Sequence, residues 1–427
     1  MDDLQDNIEA NHLDKSVIFR FCLYGFLKNQ RYFEPFILLA FMEKGLSFFL
    51  IGLLFGFREL CINLFEIPSG ALADLYGRRK TMILSFSSYT ISFIIFGASI
   101  QTWQLFLAML FFSIGEAFRT GTHKAIIFDY LKSRGRENER VRIYGYTRSW
   151  SKMGSAVSAI VAAGMVFLTG RYSNIFWLCA IPSVINVINF LGYPPQVEGQ
   201  KHPRHHKMHI LKHTWESLAH AWVNKKQRIL LLESGGFEGV FKIAKDYIQP
   251  VINAVAISLP FFIFLADHQR TALLVGLVYS LVFLLSSIAS RQAHVLVKWK
   301  GSDDLASATI WAATVCCYGL LIPLLALEIS VISIALFLLI YLVQNIWRPL
   351  LVSRLNACSR PEQAATTLSI ESQAKSTVAM IIAPVLGLAV DHLGIWSVGA
   401  LGCLISLIFW VKSKLPFKAI HRPKDGQ

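Results

Sequence analysis

Charged residues are scarce in this chain of 427 residues, since Asp, Glu, Lys and Arg together make up 16% of it. Soluble domains average about 25%. Hydrophobic residues make up 54%, which is more than a soluble core of this size needs. A bilayer requires apolar side chains on the lipid-facing surface as well as in the packed interior. The composition therefore predicts a membrane protein surrounded by lipid.

Three further absences exclude classes of function. The seven cysteines contain no CxxC spacing, so neither a metal site nor a disulfide framework is predicted. No phosphate-binding GxxxxGK[ST] loop occurs, which argues against ATP hydrolysis within this chain. Residues 1–6 are polar and acidic and lack the basic and apolar regions of a cleaved signal peptide. We therefore expect no metal, no cofactor and no enzymatic activity, and we expect the first membrane span to act as the insertion signal.

Twelve apolar segments are long enough to cross a bilayer, which requires roughly 20 residues. We call them spans 1 to 12. They lie at about 16–42, 46–74, 81–100, 103–131, 143–169, 173–193, 229–256, 271–296, 303–327, 329–355, 364–391 and 394–413. The longest polar gap, 194–228, predicts a linker between an N-terminal six-helix bundle, 1–193, and a C-terminal six-helix bundle with a tail, 229–427.

The basic residues alternate along the chain. The gaps after spans 2, 4, 6, 8 and 10 have two or more Lys or Arg in or beside them, whereas the other gaps hold at most one. Cytoplasmic loops carry this excess of positive charge. Both termini and the linker are therefore predicted to be cytoplasmic, in a plasma or inner membrane. The formal net charge of +14 is then explained by orientation, and no nucleic-acid partner is predicted.

The gap between spans 2 and 3 contains a dense motif that ends in Gly77, Arg78, Arg79 and Lys80. Gly70, at its start, permits close helix approach, and Gly77 permits a tight turn. Asp74 lies at a helix end, where it can pair with Arg78 or cap the N-terminus of a neighbouring helix. The basic run anchors the loop at the cytoplasmic face.

This motif, Gly70-x-Leu72-Ala73-Asp74-x-x-Gly77-Arg78-Arg79-Lys80, resembles the signature loop of the major facilitator superfamily. Leu75 departs from it, because a basic residue is usual there. The six-plus-six arrangement and the orientation extend the resemblance to nearly the whole chain. The resemblance implies an all-α fold of twelve transmembrane helices in two halves. It also implies a cytoplasmic gate formed by the motif with an acidic residue of helix 4. The predicted gate residues are Gly70, Asp74, Gly77, Arg78 and Asp129.

Charged residues inside spans are costly and usually face a cavity. In span 1, Lys28, Arg31 and Glu34 are spaced by three, so a continuous helix would present them on one face. Helices 1, 4, 7 and 10 line the central cavity in the family that the sequence resembles, and the charges concentrate in these and in spans 2, 5 and 11. The candidate substrate or proton site comprises Lys28, Arg31, Glu34, Arg119, Glu238, Lys242, Arg348, Glu371 and Lys375.

Other charges have simpler explanations beside the functional one. Arg148 and Lys152 lie near the cytoplasmic end of span 5, where long basic side chains reach towards the interface. Arg58 and Glu59 are also explained as an internal structural ion pair.

The resemblance implies a secondary active transporter, a symporter or antiporter, that moves a small molecule by alternating access. We expect a monomer. Glu34, Glu238 or Glu371 could carry a coupled proton, and the cations could hold an anion. Both signs are present, so an anionic and a zwitterionic substrate stay equally open. The alternative is a non-transporting sensor or partner-binding scaffold on the same fold, although a scaffold has no need for buried charges. An intramembrane enzyme would need paired His or Asp, or Ser with His, on facing helices.

Overall fold

The computed structural model describes residues 2–120, 122–194, 225–260, 262–290, 292–358 and 364–414. Within these ranges the chain forms sixteen α-helices, two short 3₁₀ turns and no strand. The helices are α1 (Asp2–Leu27), α2 (Ile37–Glu43), α3 (Phe48–Tyr76), α4 (Arg78–Ala98), α5 (Thr102–Arg119), α6 (Thr122–Ser133), α7 (Arg140–Thr169), α8 (Asn174–Leu191), α9 (Lys225–Ala244), α10 (Ile248–Ser258), α11 (Asp267–Ala289), α12 (Ala293–Lys300), α13 (Asp303–Ala326), α14 (Ser330–Cys358), α15 (Ala364–Leu393) and α16 (Ser397–Lys414).

Helix is found at each of the twelve predicted spans. In the described residues, nine helical segments are long and apolar enough to cross a membrane, and they coincide with spans 2–6 and 8–11. Span 12 coincides with a shorter apolar helix, 397–413. Spans 1 and 7 are not among the nine, because their helices are interrupted and contain several charged residues. The interruptions lie at the site described below.

Span 1 is not the continuous helix that the sequence analysis predicted. Helix α1 ends at Leu27 and α2 begins at Ile37. Pro35 lacks a backbone N–H and disfavours helical backbone at Glu34, which explains the break. The Asn29 side chain donates to the Gly25 carbonyl at 2.8 Å, where the helix ends. The prediction that Lys28, Arg31 and Glu34 share a helical face is therefore wrong.

Spans 4 and 7 are interrupted as well. Span 4 divides into α5 and α6, because Thr120 has extended backbone with ψ 127°. Glycine, the next residue in the sequence, is a poor helix former. In span 7 a 3₁₀ turn at Lys245–Tyr247 separates α9 from α10. Tighter turns inside a helical segment often mark functional positions.

The helices pack chiefly within two halves, which we call the N-half (α1–α8) and the C-half (α9–α16). In the N-half α4 packs on α5 and α8, and α1 packs on α7; in the C-half α9 packs on α15, and α13 on α16. Between the halves, α3 packs on α15 and α7 on α11. The linker predicted at 194–228 lies almost wholly outside the described residues, and α9 already begins at Lys225, so the domain bounds stay a prediction.

The two ends of the bundle differ. We call the end where α3 gives way to α4 at Gly77 the motif end, and the end where α3 begins at Phe48 the far end. At the far end the Asp391 carboxylate accepts hydrogen bonds from the backbone N–H groups of Phe48 and Phe49, at 3.0 and 2.8 Å. The Gln249 side chain accepts from the Leu38 N–H at 2.8 Å and donates to the Glu34 carbonyl at 2.9 Å. These bonds join the two halves at the far end.

Candidate functional site

A cavity of about 830 Å³ lies between the two halves. Its walls come from spans 1, 2, 4 and 5 of the N-half and from spans 7, 10 and 11 of the C-half. Among the described residues, spans 3, 6, 9 and 12 supply none of the lining. Lys124, Arg148 and Lys152 lie on the wall yet are exposed, and the last two lie towards the start of α7. The cavity is therefore open towards the motif end.

The lining carries an excess of positive charge. Eight lysine and arginine side chains and three glutamates line the cavity, which leaves five positive charges over. The cations are Lys28, Arg119, Lys124, Arg148, Lys152, Lys242, Lys245 and Lys375. The anions are Glu66, Glu116 and Glu238. Aromatic rings of Tyr24, Tyr144 and Phe241 complete the wall.

On the N-half wall, Glu116 of α5 is the centre of a polar cluster. Arg119 and the Tyr89 hydroxyl donate to its carboxylate, and the Arg31 guanidinium lies 3.6 Å away. Arg119 also donates to the Tyr89 oxygen at 3.3 Å. Two guanidinium groups thus share one carboxylate, and Arg119 already has an ion-pair partner within the protein.

Lys28 and Arg148 differ from these committed cations. Within the described chain, neither has a carboxylate within 4.0 Å. The Lys28 ammonium lies 5.4 Å from the centre of the Tyr24 ring, which in turn stacks on His123 at 3.8 Å. An aromatic face compensates a cation only partly. Both cations are therefore available to a ligand.

Below this cavity, towards the far end, lies a smaller chamber of about 150 Å³. In it the Lys242 ammonium contacts the Glu59 carboxylate at 2.5 Å, and Lys245 contacts Glu34 at 3.3 Å. Lys242 and Lys245 belong to the C-half, whereas Glu34 and Glu59 belong to the N-half. We call these four residues the inter-half ladder. The Glu59 side chain is 0% exposed, and Arg58 also pairs with it at 2.9 Å.

Glu238 has a different environment from the other predicted carboxylates. It lies on the cavity wall, is 9% exposed, and accepts hydrogen bonds from the Gln344 side chain at 3.1 and 3.2 Å. Among the described residues it has no cation within 4.0 Å. Glu371, by contrast, is held by Arg348 at 2.6 and 3.1 Å and by the Ser234 hydroxyl at 2.5 Å.

The nine predicted site residues thus fall into three groups. Lys28, Arg119, Glu238, Lys242 and Lys375 line the cavity. Arg31 and Glu34 line the smaller chamber, which Lys242 shares. Arg348 and Glu371 pair with each other outside the cavity wall.

Sequence reasoning missed several residues of the site. Glu59 was interpreted as a partner of Arg58 alone, and Gln344 had no signal because an amide in a span is unremarkable. Glu116 and Lys245 were visible as charges within spans, but their partners were not. Among the described residues, no group of three His, Cys, Asp or Glu side chains is arranged to hold a metal ion.

The motif loop joins α3, α4, α6 and α8. Gly77 has φ +92°, a left-handed conformation that glycine adopts without strain, so it makes the predicted tight turn. Arg78 at the start of α4 donates to the Asp129 carboxylate on α6. Arg79 donates to the carbonyls of Phe190 and Leu191 at 2.9 and 2.6 Å, which caps the end of α8.

Two of the predicted gate residues need separate comment. The side chain of Asp74 lies outside the described part of the structure. Gly70 does not mediate a close helix contact here, because a Cβ added to it would have no atom of the described residues within 4 Å. The helices that could approach it are apart at the open motif end.

Comparison with known families and relatives agrees with this architecture. A family model described as Major Facilitator Superfamily matches residues 21–384. An uncharacterised transporter of Buchnera aphidicola subsp. Acyrthosiphon pisum is 26% identical over 196 residues, 43% of this chain and 46% of that protein. The uncharacterised MFS-type transporter YxaM of Bacillus subtilis is 24% identical over 243 residues, 53% of this chain and 56% of that protein. The chain therefore spans about half the length of these relatives.

Solved structures share the fold over almost the whole chain. The nucleoside transporter NupG has a TM-score of 0.70 at 13% identity and covers 94% of this chain and 98% of its own. The peptide transporter POT in complex with alafosfalin has a TM-score of 0.65 at 12% identity, over 94% and 93%. A D-xylose-proton symporter has a TM-score of 0.60 at 11% identity, over 92% and 97%. At these identities the likeness shows the fold alone. Because the family model covers most of the residues, this multi-pass membrane protein belongs to the major facilitator superfamily of transporters.

Proposed function

We propose that the protein is a secondary active transporter that moves a small solute by alternating access and couples the movement to protons. The observation that carries the proposal is the charged cavity of about 830 Å³ between the two halves, open at the motif end and closed at the far end. A volume of this order suits a small organic molecule.

The distribution of contacts between the halves supports alternating access. Hydrogen bonds from Asp391 and Gln249 close the far end, and the inter-half ladder lies between this closure and the cavity. Exposure of the far side requires these bonds to break while the motif end closes. Rocking of two halves about a central site is the usual mechanism of such folds. With the predicted orientation, the present conformation faces the cytoplasm.

Glu238 is the best candidate for the coupled proton. Gln344 and Arg348 face it from α14, Glu371 and Lys375 from α15, and Lys242 lies on its own helix. Since Arg348 bonds Glu371 and Lys242 bonds Glu59, none of the cations in the described part of the chain forms an ion pair with Glu238. A carboxylate that faces a wet cavity without an ion-pair partner can exchange a proton with either side as access alternates. Glu34 and Glu371 are each held by a cation and are less suited to this role.

The test is transport in vesicles that contain the purified protein and a trapped pH-sensitive dye. A panel of organic acids, amino acids, peptides, nucleosides and sugars is added outside, with and without an imposed pH gradient. We expect at least one solute to move protons with it, and we expect Glu238→Gln to abolish proton movement. Glu137→Gln, an exposed carboxylate near the motif end, is the matched control and should leave both fluxes unchanged.

Each contrary result has its own meaning. If solute flux does not depend on the pH gradient and is unchanged by Glu238→Gln, the hypothesis of proton coupling is wrong, whereas that of transport stands. If no solute moves, and a cysteine placed at Ser151 on the cavity wall reacts only from the motif side under every condition, alternating access fails. The non-transporting sensor or scaffold would then be favoured.

A further inference from the structure

We propose that the cavity selects organic anions, and that Lys28 and Arg148 together bind the substrate's oxyanion, a carboxylate or phosphate group. This inference names the substrate class of the transport site and so rests on the proposed function. It decides between the anionic and zwitterionic substrates that the sequence left open.

The first argument is the contrast between the two chambers. The main cavity has five positive charges in excess, whereas the smaller chamber has four cations and four anions. The charges in the small chamber therefore neutralise one another in ion pairs, which suits a contact that holds the two halves together. Part of the excess on the main wall is also balanced, because Lys242, Lys245 and Lys375 lie beside carboxylates outside that wall. Within the described chain, three cations on the same wall have no carboxylate within 4.0 Å, namely Lys28, Lys124 and Arg148. Low-dielectric walls strengthen the field of such cations.

The second argument identifies which cations are free. Arg119 is committed to Glu116, Lys242 to Glu59, and Lys245 to Glu34 and Asp246. Lys375 lies 3.9 Å from Glu371. Lys28, Lys124 and Arg148 have no such partner within the described chain. Of these, Lys28 and Arg148 lie on α1 and α7, which pack directly on each other. An added anion would supply the partner that the described residues do not provide.

The third argument is that these two cations face the same space. Helix α1 packs on α7 so tightly that a Cβ at Gly25 would lie 3.1 Å from the Ser151 hydroxyl. The two helices run parallel, since Gln30, further along α1, donates to the Gly154 carbonyl at 3.1 Å. Lys28 lies three residues past Gly25, and Arg148 follows Thr147, whose carbonyl would lie 2.6 Å from a Cβ at Gly25. The two cations are therefore roughly one helical turn apart along the axis, and both line the cavity. Two positive charges that line one cavity repel each other. An oxyanion between them would replace repulsion with charge-assisted hydrogen bonds.

The rest of the wall suits the body of such a molecule. Tyr24, Tyr144 and Phe241 offer apolar faces. Glu238, on the C-half wall, accepts a hydrogen bond from Gln344. When Glu238 takes up a proton, the cavity loses a negative charge, so proton binding and anion binding favour each other. A transporter in which proton binding favours solute binding moves both in the same direction, which is symport.

The first experiment measures the cavity's field without any substrate or transport. A single cysteine replaces Ser151 in a background without the seven native cysteines. Its reaction rate is measured with the anionic 2-sulfonatoethyl and the cationic 2-(trimethylammonium)ethyl methanethiosulfonates. Rates are normalised to Thr102→Cys, an exposed site at the start of α5. We expect the normalised anion-to-cation ratio to exceed about 10, the enhancement typical of charged clefts.

Variants of Lys28 and Arg148 test whether these two residues produce the positive field of the cavity. Lys28→Gln and Arg148→Gln should each lower the ratio several-fold, whereas Lys298→Gln, an exposed cation on α12, should leave it unchanged. A ratio of one or less, or a ratio indifferent to both site variants, would overturn the inference.

A second experiment uses the unmodified chain, in case the cysteine-free background does not fold. Thermal unfolding is followed with 3-phenylpropanoate, 2-phenylethyl phosphate, 3-phenylpropanamide, 3-phenylpropylamine and phenylalanine, which share a ring but differ in charge. We expect Tm to rise with one or both anions and not with the amide or the amine. The two anions distinguish carboxylate from phosphate. A rise with phenylalanine alone would show a zwitterion site and contradict the inference. Neither experiment needs transport, so a selective cavity in a protein without flux would refute only the proposed function.

Discussion

Helices α3 and α15 are packed together at one end of the molecule, and the described residues show no such packing at Gly70, near the other end. At the far end Asp391 caps the start of α3, and a Cβ at Gly56 would lie only 2.8 Å from the Met380 carbonyl. The hydrogen bonds between the two helices continue to Asn63 and Thr377, at 3.3 Å. Fourteen residues past Gly56, Gly70 on the same helix has no described neighbour near its Cβ position.

The two halves are closely packed at the far end, and the motif end leaves space into which their helices can move. Backbone-to-backbone packing through glycine makes the far end a dense interface. The inter-half ladder lies near the middle of α3, between the packed and the open portion. Rocking of the halves would exchange the two environments, so that neighbouring helices approach Gly70 and move away from Gly56.

The largest expected effect is at the ladder. Glu59→Gln should destabilise the protein by about 3–5 kcal/mol, because it leaves the Lys242 ammonium without its buried partner. Lys242→Met combined with Glu59→Gln should recover much of the loss. Denaturant unfolding in mixed micelles measures both. Equal stability of the single and the double variant would show that the pair does not join the halves.

The next effect contrasts two glycines of one helix. Gly56→Leu should cost about 1–3 kcal/mol, since the new side chain meets the α15 backbone. Gly70→Leu should change the free energy of unfolding by less than about 0.5 kcal/mol, because its surroundings are open. Gly70→Leu should nevertheless slow transport by obstructing closure of the motif end. Thermal unfolding together with vesicle flux separates the two, and equal losses of stability would invalidate the comparison.

A smaller effect is expected at the cap of α3. Asp391→Asn replaces one of the two carboxylate oxygens that accept from Phe48 and Phe49 with an NH₂ group, which cannot accept. We expect this change to destabilise the closed far end by about 1 kcal/mol. That corresponds to roughly a fivefold rise in labelling of Ser151→Cys from the far side. Asp267→Asn serves as the control, because among the described residues this exposed carboxylate forms an ion pair only with Arg270, three residues later. An unchanged labelling rate would mean that Asp391 does not hold this end closed.

The smallest effect is expected at the motif loop. The Arg78 and Asp129 side chains are 26% and 39% exposed, and such pairs contribute about 0–1 kcal/mol. Arg78→Gln should lower Tm slightly at low salt, and about 1 M salt should remove the difference. A loss of stability greater than that of Gly56→Leu would assign the loop a structural role that its exposure does not suggest.

The elements of the fold that depend on local sequence could be predicted. Hydrophobic length placed helix at all twelve spans, and the turn at Gly77 followed from the freedom of glycine. The break at Pro35 was equally visible in the sequence, but the charge spacing was given more weight than the proline. The role of Gly70 could not be predicted, because it depends on which end of the bundle is open.

The candidate site was predicted only in part. Charges within spans pointed to the right region, since a charge in a bilayer must face water or a partner. Whether each charge is free or paired was not predictable. Lys242 and Lys375 are both lysines in spans, yet one is bonded to a buried carboxylate and the other lies at the limit of an ion pair.

The sequence by itself determined that this chain is a helical membrane protein with a motif loop of the major facilitator superfamily, because hydropathy, glycine and charge act locally. Only the tertiary structure decided that Glu59 meets Lys242 and that Glu34 meets Lys245, partners 183 and 211 residues apart. Among the residues that the structure describes, it also leaves Lys28 and Arg148 without a carboxylate partner. These pairings follow from how the two halves pack, and the energy of a buried charge depends on its neighbours in space and not on its neighbours in the chain.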